Sequence, residues 1–262
     1  MAPDRAIARQ QPPLSGSSLV EQYKRAAAEA AAAIVRDGMR VGLGTGSTVA
    51  YLLPALAERN LSGLRCVATS PATEAATLAL GFRVEELDAV GELDIAIDGA
   101  DQVDPRGWLV KGGGGALTRE KIVAAASRLF VVIVSAEKAV AALSPPVPLE
   151  VLRFGARRTL AEVGDTRLRR DPAGPDDDLK GPDDDLESPD DDLRSPDGNL
   201  IADYLGPVED AASLAARLSA TPGVVEHGLF EPELVSYILI AGGAPRRDGG
   251  VGVERREGGK SG

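Results

Sequence analysis

"MRVGLGTGSTVAYLLPALAERN", residues 39–60, decides the fold. "MRVGLG" is a short apolar run and reads as a strand. "STVAYLLPALAERN" reads as a helix, with Pro54 as an irregularity that kinks it. Between them lies a glycine-rich turn. The same alternation continues outward: "LRCVATS" is strand-like, "PATEAATLALG" helical, "FRVEEL" strand-like, "LDIAIDGA" a buried strand, "LTREKIVAAAS" helical and "RLFVVIVSA" a central strand. Upstream, "SSLVEQYKRAAAEAAAAIVRDG" predicts a helix, with Ser18 and Glu21 at capping-box spacing and Gly38 as its stop. Strands alternating with helices predict an α/β, Rossmann-like domain with a largely parallel sheet. Such sheets bind ligands outside the C-terminal ends of their strands. Three polar loops, "GTGST", "DGAD" and "SAEK", follow strands at that edge.

From about Pro145 the pattern changes to strands and helices of a smaller α+β domain: "VPLEVLRFG", "ARRTLAEVG", "TRLRR", "GNLIADYL", "VEDAASLAARLSA" and "GVVEHGLF". "LVSYILIAGG" is apolar enough to return to the first sheet. The expected organisation is a disordered leader at 1–16, a Rossmann-like catalytic domain at 17–144 with 232–244, a smaller domain at 145–231, and a disordered tail at 245–262. The smaller domain carries a flexible acidic repeat at 172–196, with a period of seven marked by Pro175, Pro182, Pro189 and Pro196. Proline at that spacing blocks a stable helix, and dense like charge blocks a core. Its aspartates are consecutive, unlike the alternating ligands of a calcium loop, so the repeat reads as a solvated insertion.

Charge follows the same division. The net charge is −11, and residues 175–195 hold nine aspartates and one glutamate against Lys180 and Arg194, eight of those eleven charges. Neither part offers a basic face for nucleic acid, and aromatic residues make up only 3% of the chain, too few for base stacking. No apolar run approaches the roughly 20 residues of a membrane span, and the first residues lack the apolar core of a secretory signal. One cysteine, Cys66, permits no intrachain disulfide. These features predict a cytoplasmic protein with no membrane or nucleic-acid partner. Only six of the 29 basic residues are lysines: Lys24, Lys111, Lys121, Lys138, Lys180 and Lys260.

Each chemical motif has a plain structural reading beside a functional one. In "GLGTGSTV", glycine amides and the hydroxyls of Thr45, Ser47 and Thr48 suit a small phosphate, and an ordinary strand-to-helix turn fits equally. It is neither a Walker loop nor a dinucleotide fingerprint. In "DIAIDGADQVD", Asp98 and Asp101 suit proton transfer, while turn capping and a magnesium site remain open. In "KGGGGALTRE", Lys111 beside glycine amides suits stabilisation of a developing oxyanion, and Glu120 sits where a carboxylate also favours a helix start. Lys138 follows a strand end, where it meets either a phosphate or solvent. His227, the only histidine, and Cys66 lie far apart in sequence and give little support to a Cys-His or Ser-His-Asp mechanism.

In combination, "GLGTGST", "DIAIDGAD", "VKGGGGALTREKIVA", "PLEVLRFG", "PDGNLIADY" and "GVVEHGLF" occur in the order seen in type A ribose-5-phosphate isomerases, and the chain resembles that family from about residue 18 to 242, apart from the insert. The resemblance implies interconversion of ribose 5-phosphate and ribulose 5-phosphate, with no metal or organic cofactor, in a homodimer or homotetramer. By the same resemblance, Glu120 is the base moving a proton between C1 and C2 through an enediolate. Asp98 serves ring opening and hydroxyl proton transfer, Asp101 lines the site, and Lys111 stabilises the enediolate oxygen. Thr45, Gly46, Ser47, Thr48, Gly99, Ala100, Gly112, Gly113, Gly114 and Lys138 contact substrate. Gln102 and Glu137 depart from the family pattern, where an acid and a serine are common. A non-catalytic sugar-phosphate sensor of related fold is the alternative, and roles for Lys24 and His227 stay open.

Overall fold

The computed structural model describes residues 16–171, 192–243 and 250–260. Helix α1 (Gly16–Ala32) is followed by β1 (Arg40–Leu43), α2 (Val49–Glu58), β2 (Arg65–Ala68), α3 (Pro71–Ala79), β3 (Arg83–Val84), α4 (Leu87–Val90) and β4 (Leu93–Asp98). A hairpin of β5 (Gln102–Val103) and β6 (Leu109–Val110) leads to α5 (Leu117–Ala125) and β7 (Ser127–Ser135). Then come β8 (Val147–Val151), α6 (Ala156–Val163), β9 (Thr166–Leu168), β10 (Leu200–Tyr204) and α7 (Ala211–Ser219). The chain closes with β11 (Val224–His227), β12 (Leu229–Phe230), β13 (Tyr237–Gly243) and β14 (Gly252–Glu257).

Among the described residues the main sheet has seven strands in the order β14-β13-β7-β4-β1-β2-β3, all parallel except β14. Its central strands are apolar on both faces, as a parallel sheet covered by helices requires. Val131 and Ile133 of β7 and Ile95 and Ile97 of β4 pack under α1 and α2. Phe130, Val132 and Ala96 face the other way, toward Val123 of α5. Side chains alternate across a strand, so Asp98, two residues past Ala96, also lies on the α5 face.

The smaller unit is an antiparallel sheet, β11-β8-β10-β9, packed on α6 and α7 around Leu149, Val151, Ala202 and Leu218. A third sheet, β12-β6-β5, joins the two units. "GVVEHGLF", expected as one strand, therefore serves two sheets: β11 pairs with β8, and beyond Gly228 β12 pairs with β6.

Three expectations are corrected. Helix α1 starts at Gly16, which puts Ser18 inside it rather than at its cap, and it ends at Ala32 rather than running to Gly38. The guanidinium of Arg59 donates to the carbonyls of Ala32 and Val35 and closes that end, while Val35 turns into the core. The tail expected to be disordered contains β14, whose Val253 packs on the core and whose Arg255 lies 4.0 Å over the Tyr237 ring. Its glycine- and charge-rich composition suits an edge strand, which is protected by charge from pairing further. Residues 192–195, assigned to the flexible repeat, are packed: Arg170 pairs with Asp192, the amide of Leu193 donates to the carbonyl of Arg169, and Ser195 is buried. The leader and the rest of the repeat, 172–191, lie outside the described residues.

Candidate active site

The C-terminal edge of β1, β4 and β7 carries a cavity of about 240 Å³. Its wall comprises Lys24, Thr45, Gly46, Ser47, Thr48, Gly99, Ala100, Asp101, Lys111, Gly112, Gly113, Gly114, Glu120 and Lys138. The candidates from three separate loops are thus brought into one site. Asp98 lies just behind this surface, 3% exposed. A second cavity, of about 590 Å³, opens on the opposite side of α5 beside Arg119 and Ile122. It is larger but contains none of these groups.

At the floor, Asp98 ends β4 and is held on every side. Its Oδ1 accepts from the amides of Gly99 (2.7 Å) and Thr45 (3.1 Å), and its Oδ2 accepts from Lys111 Nζ at 2.8 Å. A glycine at position 44 makes this possible, because a β-carbon there would lie 1.9 Å from the Asp98 carboxylate carbon. With these donors in place, the carboxylate is engaged in two backbone hydrogen bonds and an ion pair.

Lys111 follows β6 and is 2% exposed. Its amide donates to Gly228 O, and Nζ donates to Gly99 O at 2.6 Å. The ammonium also lies 3.1 Å from Glu120 Oε2. Burial alone disfavours this charge, but Asp98 and Glu120 more than offset it and hold the lysine pKa above its ordinary value. Lys111 therefore stays an ammonium shared by two buried carboxylates.

Glu120 sits in the first turn of α5, 3% exposed. Although its Oε2 is within ion-pair distance of Lys111, the alignment is not that of a hydrogen bond. Among the described residues it is the one buried side-chain polar atom without a hydrogen-bond partner. Burial pushes the Glu120 carboxyl up to about 7, Asp98 adds to the shift, and Lys111 opposes it. Burial raises Asp98 as well, against Lys111, Gly99 and Thr45. The hydrogen bonds distinguish the two acids: Asp98 accepts from three donors, whereas Glu120 Oε2 accepts from none and its carboxyl is poised near neutral pH.

The cavity walls are cationic and rich in donors. Thr45 Oγ1 is 2.8 Å from Thr69 Oγ1, and the amides of Ser47 and Thr48, ahead of α2, donate to no protein acceptor among the described residues. Lys138 ends a 3-10 turn after β7 and has no carboxylate partner among the described residues, because the neighbouring Glu137 instead accepts from the Ser135 hydroxyl. Lys24 enters from α1, 16% exposed and 3.1 Å from Glu21. On the far wall Asp101 Oδ2 accepts from the Gly113 amide at 2.9 Å. Gly112 has φ +99°, and a β-carbon there would meet Leu117 at 2.9 Å, so the loop needs glycine at this turn.

A family model, ribose 5-phosphate isomerase A (phosphoriboisomerase A), matches residues 65–244. The ribose-5-phosphate isomerase A of Caulobacter vibrioides is 44% identical over 212 residues, covering 80% of this chain and 90% of that protein. The chain belongs to the ribose 5-phosphate isomerase A family. Solved structures agree. A D-ribose-5-phosphate isomerase in complex with phospho-erythronic acid matches with a TM-score of 0.76 at 32% identity, covering 91% of this chain and 99% of that one. Ribose 5-phosphate isomerase A from Methanocaldococcus jannaschii matches with a TM-score of 0.73 at 31% identity, over 90% and 99%.

Within this isomerase framework, Lys24, whose role the sequence left open, lies in the cavity wall, where the packing of α1 brings it. One feature escaped the sequence reading. Arg169 lies behind the glycine loop and contacts the carbonyls of Gly112 and Gly113. His227 is not in the cavity wall. Burial and the nearby Lys121 hold it down to about 4, and it accepts from the Leu229 amide, so it is a neutral packing residue.

Proposed function

We propose that this protein interconverts D-ribose 5-phosphate and D-ribulose 5-phosphate, with Glu120 as the base that carries the proton. The observation that carries the assignment is Glu120 itself: a buried carboxyl raised to about 7, with an unsatisfied oxygen beside an ammonium. A proton next to a carbonyl is weakly acidic. Its removal needs a base matched to neutral pH and a donor for the oxygen that becomes negative.

In the forward direction ionised Glu120 takes the C2 proton of the open-chain aldose. The electron pair of that C–H bond forms the C1–C2 double bond, and the carbonyl pair moves onto O1. The Lys111 ammonium and the amides of the glycine loop stabilise the resulting enediolate. Glu120 returns the proton to C1, and Asp98 serves ring opening and the transfer of the hydroxyl proton between O2 and O1. Asp101 orients the loop by accepting from Gly113. The phosphate is held by the Thr45–Thr48 loop with Lys138 and Lys24, whose charges and amides balance a dianion.

The residues supply base, ammonium and amides without calling on a metal or organic cofactor. The assembly implied by the family is a homodimer or homotetramer, and the pathway is non-oxidative pentose phosphate metabolism in the cytoplasm, a compartment that suits a buried free cysteine. The direct test is purified protein with ribose 5-phosphate and EDTA, following ribulose 5-phosphate. Turnover that survives chelation is expected. No turnover by folded protein would sink the isomerase assignment, and loss on chelation alone would sink its metal-free part. Light scattering on a sizing column reads the assembly, with a monomer as the contrary result.

A further inference from the structure

Arg169 lies just beyond β9 in the smaller sheet, 16% exposed. One edge of its guanidinium meets the Asp203 carboxylate of β10, with Nη2 at 2.6 Å and Nε at 3.0 Å. The remaining nitrogen, Nη1, donates to the carbonyls of Gly112 (2.9 Å) and Gly113 (3.0 Å) in the glycine loop. Asp203 is 5% exposed and part of the small-sheet core, so the fork is fixed from behind. A planar guanidinium loses little freedom in holding two groups at once, which an ammonium cannot match.

We infer that Arg169 is a positioning residue for the isomerisation: it aims the amide of Gly114 at the reacting oxygen. The peptide between Gly113 and Gly114 is trans, so its N–H points opposite to its C=O. Pinning the Gly113 carbonyl on Arg169 therefore turns the Gly114 N–H the other way, into the cavity that Gly114 lines. That N–H donates to no protein acceptor among the described residues. The next amide back is treated in the same way: Arg169 holds the Gly112 carbonyl, and the Gly113 N–H is received by Asp101. The loop is thus gripped from the smaller unit on one side and from Asp101 on the other. Preorganised donors stabilise a developing charge because they need no reorientation during the reaction.

The same residue explains how the acidic repeat is tolerated. The Arg169 amide donates to Ile201 O, and its carbonyl accepts from the Leu193 amide on the far side of the insertion. The two roots of the insertion are thereby paired beside the clamp, and Leu193 reaches Gly115.

The inference rests on the isomerase reading of the site. The test compares the full chain with Arg169→Met, Arg169→Lys and Asp203→Asn. It measures kcat, KM, and inhibition by phospho-erythronate and by inorganic phosphate, each per folded protein from circular dichroism. Phospho-erythronate carries a planar carboxylate with two oxygens, like the enediolate, whereas phosphate probes only the anion loop. Arg169→Met is expected to lower kcat roughly 100-fold, the order of loss for a small misplacement at a reacting centre. Phospho-erythronate inhibition should weaken in step, with phosphate inhibition unchanged. Asp203→Asn should show a smaller loss of the same kind, and Arg169→Lys should recover part of it. If Arg169→Met does not fold, the other two variants carry the comparison. Folded variants with wild-type kcat would overturn the inference, and so would equal weakening of both inhibitors. An inactive wild type would instead overturn the isomerase reading on which it stands.

Discussion

Replacing Glu120 with glutamine keeps the shape of the side chain and removes its titration. The structure gives this change two linked consequences. The Glu120 carboxyl is raised from 4.5 to about 7, mainly by burial. In free energy that is on the order of 3 kcal/mol against the ionised form. The folded protein therefore keeps a proton that the unfolded chain releases, and the favourable contribution, full below pH 4.5, is lost as pH rises to about 7. Wild-type protein should lose roughly 6–12 °C of melting temperature relative to Glu120→Gln across this window, and the difference should level off above it. Turnover should move the opposite way. Wild-type kcat/KM rises with pH as Glu120 ionises and levels off above about 7, whereas the variant lacks this rise and stays roughly 100-fold or more below the wild-type plateau, the usual range for a lost general base. Melting curves and initial rates from pH 4.5 to 9 read both effects. A Glu120→Gln protein with near wild-type turnover would refute the choice of base. A melting difference that does not change with pH would refute the raised carboxyl.

Gly44→Ala puts a methyl group 1.9 Å from the Asp98 carboxylate carbon, so it should displace that side chain and lower kcat roughly 100-fold; steady-state kinetics on folded variant check this, and wild-type activity would contradict the fit. Lys111→Met removes the ammonium between Asp98 and Glu120. It should raise the pH at which any residual activity appears and lower kcat by about 100- to 1,000-fold, both read from the pH–rate profile. Deleting residues 172–191 should leave kcat and KM unchanged, because the roots are already paired through Arg170–Asp192 and Leu193–Arg169. Extending the deletion through Ser195 should destabilise the protein, because Ser195 donates to the buried Glu150. Thermal melts of the two deletions distinguish these outcomes.

Much of the fold was legible because the parallel strands are nearly continuous apolar runs, as in "LDIAIDGA" and "LFVVIVSA", with punctuation at their ends. The site was legible for a related reason: "GTGST", "DGAD" and "SAEK" each follow such a strand, and a parallel sheet brings those ends to one edge. What escaped is short or distant. Strands β5 and β6 span two residues each, too few for any alternation to show, yet they deliver Lys111. Nothing local in "TRLRR" separates Arg169 from the arginines beside it, because its role comes from Gly112, Gly113 and Asp203 elsewhere in the chain. Strand β14 was hidden by glycine and charge, the composition of both a tail and a protected edge.

The most direct test of the account follows the hydrogen itself. Ribose 5-phosphate is held at equilibrium with the enzyme in D2O over many turnovers, and deuterium at C2 of the aldose and C1 of the ketose is read by proton NMR. Proton transfer through Glu120 and an enediolate predicts that deuterium accumulates at both carbons, and that Glu120→Gln accumulates almost none. Interconversion with no deuterium at either carbon would contradict an enediolate whose proton exchanges with solvent while it resides on Glu120.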